Sequence, residues 1–199
     1  MSKEKEMAWA NPGPAGLTAL AIACFTFFAV LTGIVPHTST PLLGCWLIGG
    51  FVVQIVVAVI ELREGSILGG NVFLFFSAFF MLTGGLEFIL QASSAFSDFG
   101  VTSEIDGWAW LVLLITLILW TPAYLKTSPR VMGILVLILD VGVLFVVLKD
   151  LGIMPAHVSA PIAGYALGLG GIFAIYLAAA IQLNAAFGRV IFPVGKSIL

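Results

Sequence analysis

The stretch from residue 131 to residue 148 reads VMGILVLILDVGVLFVVL, and Asp140 is its one charged residue. A helix needs about 20 mostly apolar residues to cross the hydrocarbon core of a bilayer. Five more stretches of the same character follow one another along the chain. We therefore predict six transmembrane helices, at about 16–35, 42–60, 70–90, 108–124, 131–148 and 161–186.

The composition supports a membrane protein independently of the spans. Of the 199 residues, 61% are apolar and 9% are charged, whereas soluble domains have about 45–50% apolar and about 25% charged residues. A soluble fold of this length could not bury such an excess of apolar side chains. We expect an all-α integral membrane protein, with residues 1–199 forming a single six-helix domain in a lipid bilayer. With a net charge of −2 and no basic patch, no nucleic-acid partner is expected.

The distribution of basic residues predicts the orientation of the spans. Seven of the eight Lys and Arg residues fall on one side of the predicted spans, and only Lys149 falls on the other. Because basic residues are enriched in cytoplasmic loops, both termini are predicted to be cytoplasmic. The first ten residues are polar and carry no signal peptide pattern, so the first span is expected to stay in the mature protein. The expected location is the cell inner (plasma) membrane, as a multi-pass protein.

Motifs of enzymes are missing from the sequence. No HExxH, GxxxxGK[ST] or GxSxG pattern occurs, and these patterns are typical of metalloproteases, nucleotide-binding proteins and hydrolases. Cys24 and Cys45 lie in apolar runs without partners at metal-ligand spacing. We predict that the protein is not an enzyme and has no catalytic residues, cofactor or metal site.

Polar residues inside the spans are the candidate functional residues, because polar groups in the membrane are costly. Asp140 lies halfway along the fifth span, and Glu87 lies near the outer end of the third. Either carboxyl group could couple transport to protons, and either could be a neutral structural group. Four uncharged polar residues could bind a substrate or another helix: Thr26, Gln54, Asn71 and Asn184.

Small residues recur along the sixth span. Ala166, Gly170, Ala174 and Ala178 are spaced four residues apart, a pattern that lets helix backbones approach closely. The pattern indicates helix packing, and such faces also occur around narrow pores.

The first span is preceded by Asn11-Pro12-Gly13-Pro14-Ala15-Gly16-Leu17. Two prolines and two glycines predict an irregular backbone up to Gly16. Irregular backbone at membrane depth is tolerated where it is buried in protein or lines a wet cavity, and a helix N-terminus attracts anions. This arrangement suits a small carboxylate.

This segment resembles the N-P-A-P-L-G-L signature of the acetate uptake transporter family, the succinate–acetate permease group that includes the yeast ammonia/acetate exporters. Gly49-Gly50 with Gln54, Glu61 and Gly65 resembles the family's second helix and the turn after it. The C-terminal signature is resembled by residues 175–178, by Leu183-Asn184, by Phe187-Gly188-Arg189 and by Pro193-Val194-Gly195.

The resemblance implies a six-helix bundle that assembles as a homo-hexamer, with one path for a small carboxylate in each protomer. It implies an apolar constriction at Leu20, Phe76 and Leu139, with Asp140 beside it. The expected substrate-binding residues are Asn11, Pro12, Gly16, Leu17, Thr26, Gln54, Asn71 and Asn184. The third span departs from the family, because it reads Phe76-Ser77-Ala78-Phe79-Phe80 where the family has Y-G-x-F-W.

Three functions are compatible with these features. The first is a passive or proton-coupled path for acetate and similar monocarboxylates, and for succinate. The second is a pore for another small solute such as urea, ammonia or formate, which the loss of the tyrosine hydroxyl favours. The third is a membrane scaffold or sensor that transports nothing, and it predicts no continuous polar-lined path.

Overall fold

The computed structural model describes residues 9–93 and 104–199, and the chain there folds into long helices. They are α1 (Gly13–Leu31), α2 (Thr40–Arg63, after a 3-10 turn at His37–Ser39), α3 (Ile67–Phe75), a π-helical segment (Phe76–Leu82), α4 (Thr83–Gln91), α5 (Glu104–Thr127), α6 (Arg130–Asp150) and α7 (Ala156–Phe187). The π-helical segment joins α3 and α4 into one span. In the described ranges six helical stretches are long and apolar enough to cross a membrane, which confirms the predicted six-helix bundle. Residues 9 and 199 therefore lie on the same side, which we call the inner side.

The first helix begins at Gly13, so the prediction of irregular backbone up to Gly16 was wrong. Pro14 lies in the first turn, where a missing N–H leaves no helical hydrogen bond unmade. The Gly13 N–H donates to Oδ1 of Asn11 at 2.8 Å, which satisfies one of the free donors at the helix start. The motif therefore forms the first turn of the helix.

The small residues of α7 allow it to pack closely against α1 and α6. A Cβ added to Gly164 would lie 2.9 Å from Cγ2 of Thr32, and one added to Gly168 would lie 3.0 Å from the ring of Phe28. On another face of α7, a Cβ on Gly170 would lie 3.0 Å from Leu139. The glycines therefore serve helix packing, which is the first of the two interpretations of this pattern.

The backbones of α2 and α4 touch at a pair of glycines. A Cβ added to Gly44 would lie 2.6 Å from the carbonyl oxygen of Gly85. A Cβ added to Gly85 would lie 2.9 Å from the carbonyl oxygen of Gly44. Side chains at either position would push two backbones apart, so this crossing depends on both glycines.

The π-helical segment was not predicted from the sequence. Within it Phe76 and Phe80 face the protein interior, whereas Phe79 is 61% exposed on the outer face of the bundle. Thr83 donates its hydroxyl to the Ala78 carbonyl oxygen, five residues earlier, at 3.1 Å. Single π-helical turns are rare and are often found at functional sites.

The last twelve residues, 188–199, form an extended segment on the inner side, which we call the C-terminal strap. The Val194 carbonyl oxygen accepts a hydrogen bond from the Val131 N–H at 3.1 Å, and the Leu125 carbonyl oxygen accepts one from the Ile198 N–H at 2.9 Å. Val131 lies in the first turn of α6 and Leu125 in the last turn of α5, where backbone groups have no partner within their helix. The strap therefore satisfies free groups on both sides of the turn between α5 and α6.

Candidate functional site

A cavity of about 700 Å³ enters the bundle from the outer side. Its deeper wall is apolar and its rim is polar and charged. The wall includes Cys24, Phe27, Val30, Phe80, Phe88, Trp110, Val143 and Leu167, and the rim includes His37, Thr40, Glu87, Gln91, Asp106, Lys149 and Asp150. Although three carboxyl groups lie on this rim, no group of three or more His, Cys, Asp or Glu side chains among the described residues could hold a metal ion.

A second cavity, of about 290 Å³, enters from the inner side. Its polar residues come from the start of α1, from α2, from the turn before α3 and from the end of α5. They are Asn11, Gln54, Glu61, Ser66, Tyr124, Thr127 and Ser128. The rest of the lining is mostly apolar, and no Lys, Arg or His is among the described residues that form it.

The two cavities share three lining residues, Leu20, Phe76 and Leu139. These residues come from α1, the π-helical segment and α6, and we call them the neck. Phe76 is 7% exposed, and its ring packs against Phe75 at 4.7 Å and edge-on against Phe80 at 5.7 Å between ring centroids. The structure thus brings together the three residues that the family resemblance assigned to a constriction, between one cavity on each side.

The predicted binding residues at the start of α1 fall into two groups. Asn11 and Leu17 line the inner cavity. Pro12 caps α1, and Gly16 makes room for Phe73, whose ring would lie 2.5 Å from a Cβ at this position. Neither Pro12 nor Gly16 is among the lining residues of the two cavities.

Gln54 is a polar side chain on α2 that lies deep in the bundle. The residue is 1% exposed and lines the inner cavity. Its Nε2 donates to the Gly16 carbonyl oxygen at 3.5 Å, the upper limit for such a bond. Its Oε1 is buried and has no hydrogen-bond partner in the part of the chain that the structure describes, and a buried polar atom without a partner calls for an explanation.

Three other predicted binding residues lie away from both cavities. Thr26 donates its hydroxyl to the carbonyl oxygens of Ile22 and Ala23, and Asn71 donates to that of Ile67. These hydrogen bonds stay within the residue's own helix, as polar side chains in helices commonly do. Asn184 contacts the C-terminal strap.

Asn184 holds the strap with three hydrogen bonds, and its loss should loosen the strap. Its Oδ1 accepts from the N–H groups of Ile191 and Phe192 at 2.6 and 3.0 Å, and its Nδ2 donates to the Phe192 carbonyl oxygen at 2.9 Å. We expect Asn184→Ala to speed amide exchange of Ile198 by roughly tenfold, as expected for the loss of about 1.4 kcal/mol of local stability. Hydrogen–deuterium exchange of the protein in lipid nanodiscs measures this effect. Gln182→Ala, which removes an exposed amide from the same helix, should leave the rate unchanged, and equal rates in both variants would contradict the assignment.

The two predicted proton-coupling carboxyl groups have different surroundings. Glu87 lines the outer cavity, and its carboxyl group is hydrogen-bonded to that of Asp106. Asp140 lines neither cavity; its Oδ2 accepts a hydrogen bond from the Thr121 hydroxyl at 2.7 Å. Its Oδ1 is buried and has no hydrogen-bond partner among the described residues. The sequence shows no basic residue near Asp140 on its own helix, and the structure supplies a hydroxyl from α5.

Thr121 should contribute measurably to stability, because it is the hydrogen-bond donor to a carboxyl group inside the membrane. We expect Thr121→Val to destabilise the protein by about 1–3 kcal/mol, the cost of leaving a buried polar group without its partner. Thermal unfolding in detergent measures the change. Thr116→Val is the matched control, since the Thr116 hydroxyl donates to the Val112 carbonyl oxygen of its own helix; the proposed role fails if the two variants lose equal stability.

Two residues of the inner cavity were not among the predicted site residues. Glu61 lies seven residues after Gln54, which places both on the same face of α2, and Tyr124 lies seven residues after Leu117, which also lines this cavity. The spacing was a usable signal in both cases. In the sequence, Glu61 appears only within the resemblance to the family's second helix.

The fold and the two cavities define a polytopic membrane protein. One cavity lies on each side of an apolar neck. Residues 1–194 match the model of the GPR1/FUN34/yaaH family, and the chain belongs to this family.

Two known proteins resemble this chain over most of its length. An uncharacterised protein of Methanothermobacter thermautotrophicus is 26% identical over 193 residues, which cover 92% of this chain and 90% of that protein. The solved structure of the bacterial acetate channel SatP superimposes with a TM-score of 0.81 at 22% identity, covering 94% of this chain and 99% of SatP. At this level of identity the match to SatP establishes a shared fold.

Proposed function

We propose that the protein is a channel or transporter for acetate and similar small monocarboxylates. One observation carries the proposal: cavities from opposite sides of the bundle end at the same three residues, Leu20, Phe76 and Leu139. A membrane scaffold has no need of such a pair of cavities. The choice of acetate is supported by the shared fold with SatP, which is named as an acetate channel.

The chemistry of the path favours a small solute whose charge can be neutralised by a proton, or one that can lose its bound water. At the inner side, the start of α1 at Gly13 provides the positive end of a helix dipole, with Asn11 beside it. The neck is apolar, and moving a bare carboxylate into such surroundings is costly. Passage together with a proton, or as the neutral acid, avoids most of this cost. Gln54, with its unpaired oxygen, offers a hydrogen bond on the inner side of the neck.

The proposed flow is passive or proton-coupled, and Glu87 and Asp140 are the candidate coupling groups. Glu87 and Asp106 can share a hydrogen bond only when one of the two carboxyl groups carries a proton. This pair lies on the outer rim, where a proton from outside would arrive. Asp140 follows the neck residue Leu139 on α6, which places its carboxyl group one residue from the neck.

Uptake of radiolabelled acetate into proteoliposomes tests the proposed function. We expect uptake above that of empty vesicles, and an inward proton gradient accelerates it if the flow is proton-coupled. Leu139→Trp, which fills the neck, should reduce uptake to the level of empty vesicles while the protein stays folded. The proposal fails if the wild-type protein gives no uptake above empty vesicles. Competition by unlabelled succinate tests whether the path also admits a dicarboxylate.

A pore for a different small solute, such as urea, ammonia or formate, is the second candidate function. The observation that favours it is the neck itself, in which Phe76 stands with no hydroxyl group to bind a carboxylate. Vesicle swelling with urea, ammonium, formate and acetate salts separates the two candidates. Swelling by urea with no response to acetate would replace the first proposal by this one.

We further propose that the protein forms a homo-hexamer in the plasma membrane, with a complete path in each protomer. The path described above is formed within a single chain, which supports separate paths in an oligomer. Native mass spectrometry from nanodiscs gives the number of chains directly.

A further inference from the structure

Glu61 places a carboxyl group of the protein itself in the inner mouth of the proposed path. The side chain is half-buried at the end of α2 and lines the inner cavity. A Cβ added to Gly69 would lie 2.6 Å from Oε2 of Glu61, and a Cβ added to Gly13 would lie 3.7 Å from Oε1. The carboxyl group therefore lies against Gly69, where an added Cβ would clash with it, and at ordinary contact distance from a Cβ at Gly13.

These two glycines belong to the first turns of two different helices. Gly13 is the first residue of α1, a helix of 19 residues, and Gly69 is the third residue of the span that begins at Ile67. The N-termini of both helices thus approach the same carboxyl group, and a helix N-terminus carries about half a positive charge. Glu61 therefore lies where two helix N-termini favour a negative charge.

Among the residues that the structure describes, no basic side chain lines the cavity beside Glu61. Among the described lining residues there is no Lys, Arg or His, and Tyr124 on α5 is the other titratable group that faces the mouth. Arg63 lies over the ring of Trp9 at 5.0 Å, and Glu64 accepts a hydrogen bond from the Trp9 N–H; neither lines the cavity. The two helix N-termini are therefore shared between Glu61 and any anion that enters.

A second observation marks the same cavity as a place for a polar ligand. Gln54 lies seven residues before Glu61 on the same face of α2, is 1% exposed and lines the cavity. Its buried Oε1 has no partner among the described residues. Buried polar atoms of this kind are nearly always satisfied by a protein group, water or ligand.

We propose that Glu61 is the group that couples carboxylate binding to proton uptake at the inner mouth. This proposal rests on the proposed function and adds to Glu87 and Asp140 a coupling residue at the inner end of the path. Two carboxylates cannot share one pair of helix N-termini without strong repulsion. One proton binds to the Glu61 carboxylate as one substrate anion enters, and the proton leaves when the anion leaves. Binding of the anion and of the proton are then reciprocally linked.

Equilibrium exchange of labelled acetate in proteoliposomes, with the same pH on both sides, tests the coupling. The pH is varied from about 6 to 9, and the exchange of empty vesicles is subtracted. For the wild-type protein the rate should fall as the pH rises, because fewer protons are then available to accompany the anion past the Glu61 carboxylate. Glu61→Gln should remove most of this pH dependence and exceed the wild-type rate at the highest pH by about tenfold, the effect of removing a like charge several ångströms away.

Matched variants separate this role from a general effect of charge. Glu64→Gln makes the same charge change three residues away, outside the cavity, and should keep the wild-type pH dependence. Gly69→Ala displaces the Glu61 carboxyl group without removing it and should weaken the pH dependence, which gives a second test if Glu61→Gln fails to fold. Glu61→Asp keeps a carboxyl group at this position and should keep the pH dependence.

The possible failures are distinguishable. If the wild-type protein and both Glu61→Gln and Gly69→Ala share one pH dependence, the coupling role of Glu61 is wrong, while the proposed function stands. If the wild-type protein shows no exchange above empty vesicles at any pH, the proposed function is wrong and this inference falls with it.

Discussion

Phe76→Ala should raise the flux of acetate about tenfold, which corresponds to lowering the barrier by about 1.4 kcal/mol. Phe76 is the largest of the three neck residues, and its removal lets a solute keep part of its water while it passes between the two cavities. Size selectivity should fall at the same time, so that larger carboxylates cross as well. Stopped-flow or radiotracer flux in proteoliposomes measures both effects.

The matched control is Phe79→Ala, the same substitution three residues away in the π-helical segment. Phe79 points out of the bundle and lines neither cavity, so its removal should leave flux unchanged. Because Phe→Ala in a core costs about 3–5 kcal/mol, the folded fraction of Phe76→Ala is measured alongside. Phe76→Trp avoids that loss and should reduce flux; a neck that limits nothing would give equal flux in all three variants.

Gly44→Val should cause a large loss of stability, because it places a side chain where two helix backbones touch. The added Cβ would lie 2.6 Å from the Gly85 carbonyl oxygen, and a backbone oxygen in a helix cannot move aside as a flexible side chain can. The spans must separate, which costs about 3 kcal/mol or more. We expect a fall of roughly 5–10 °C in Tm, measured by thermal unfolding in detergent.

Gly49→Val provides the control on the same helix. A Cβ at Gly49 meets no atom within 4 Å, so this variant carries the same change in helix propensity without the clash. It should unfold within a degree or two of the wild-type protein, as expected for a change of a few tenths of a kcal/mol. If Gly49→Val and Gly44→Val lose equal stability, the glycine contact does not determine the crossing of α2 and α4.

The six spans could be predicted from the sequence because they depend on local composition. An apolar stretch of sufficient length forms a membrane helix whatever its neighbours are. The ends of the helices were less accurate, as at α1, where Pro14 is accommodated in the first turn. The π-helical segment had no signal in the sequence, since its wider turn depends on how Phe76 and Phe80 pack against other spans.

Residues of the candidate site could be predicted where the family resemblance grouped them or where helix spacing placed them on one face of a helix. The other site residues could not be predicted. The neck residues Leu20, Phe76 and Leu139 lie far apart in the sequence, and only the resemblance grouped them. Thr26 and Asn71 were selected because they are polar, yet polarity does not tell which way a side chain points. A hydrogen bond to the residue's own helix satisfies such a side chain equally well.

The two cavities differ more than twofold in size, at about 700 and about 290 Å³. An inhibitor of the proposed path should therefore bind differently from the two sides of the membrane. The outer cavity falls within the range of about 300–1,000 Å³ that accommodates drug-sized ligands, whereas the inner one lies just below it. A carboxylic acid too wide for the neck would lodge among the rings of Phe27, Phe80 and Phe88 when added from outside. The same compound added from inside would meet a cavity less than half as large, so inhibition by bulky acids should be stronger from outside.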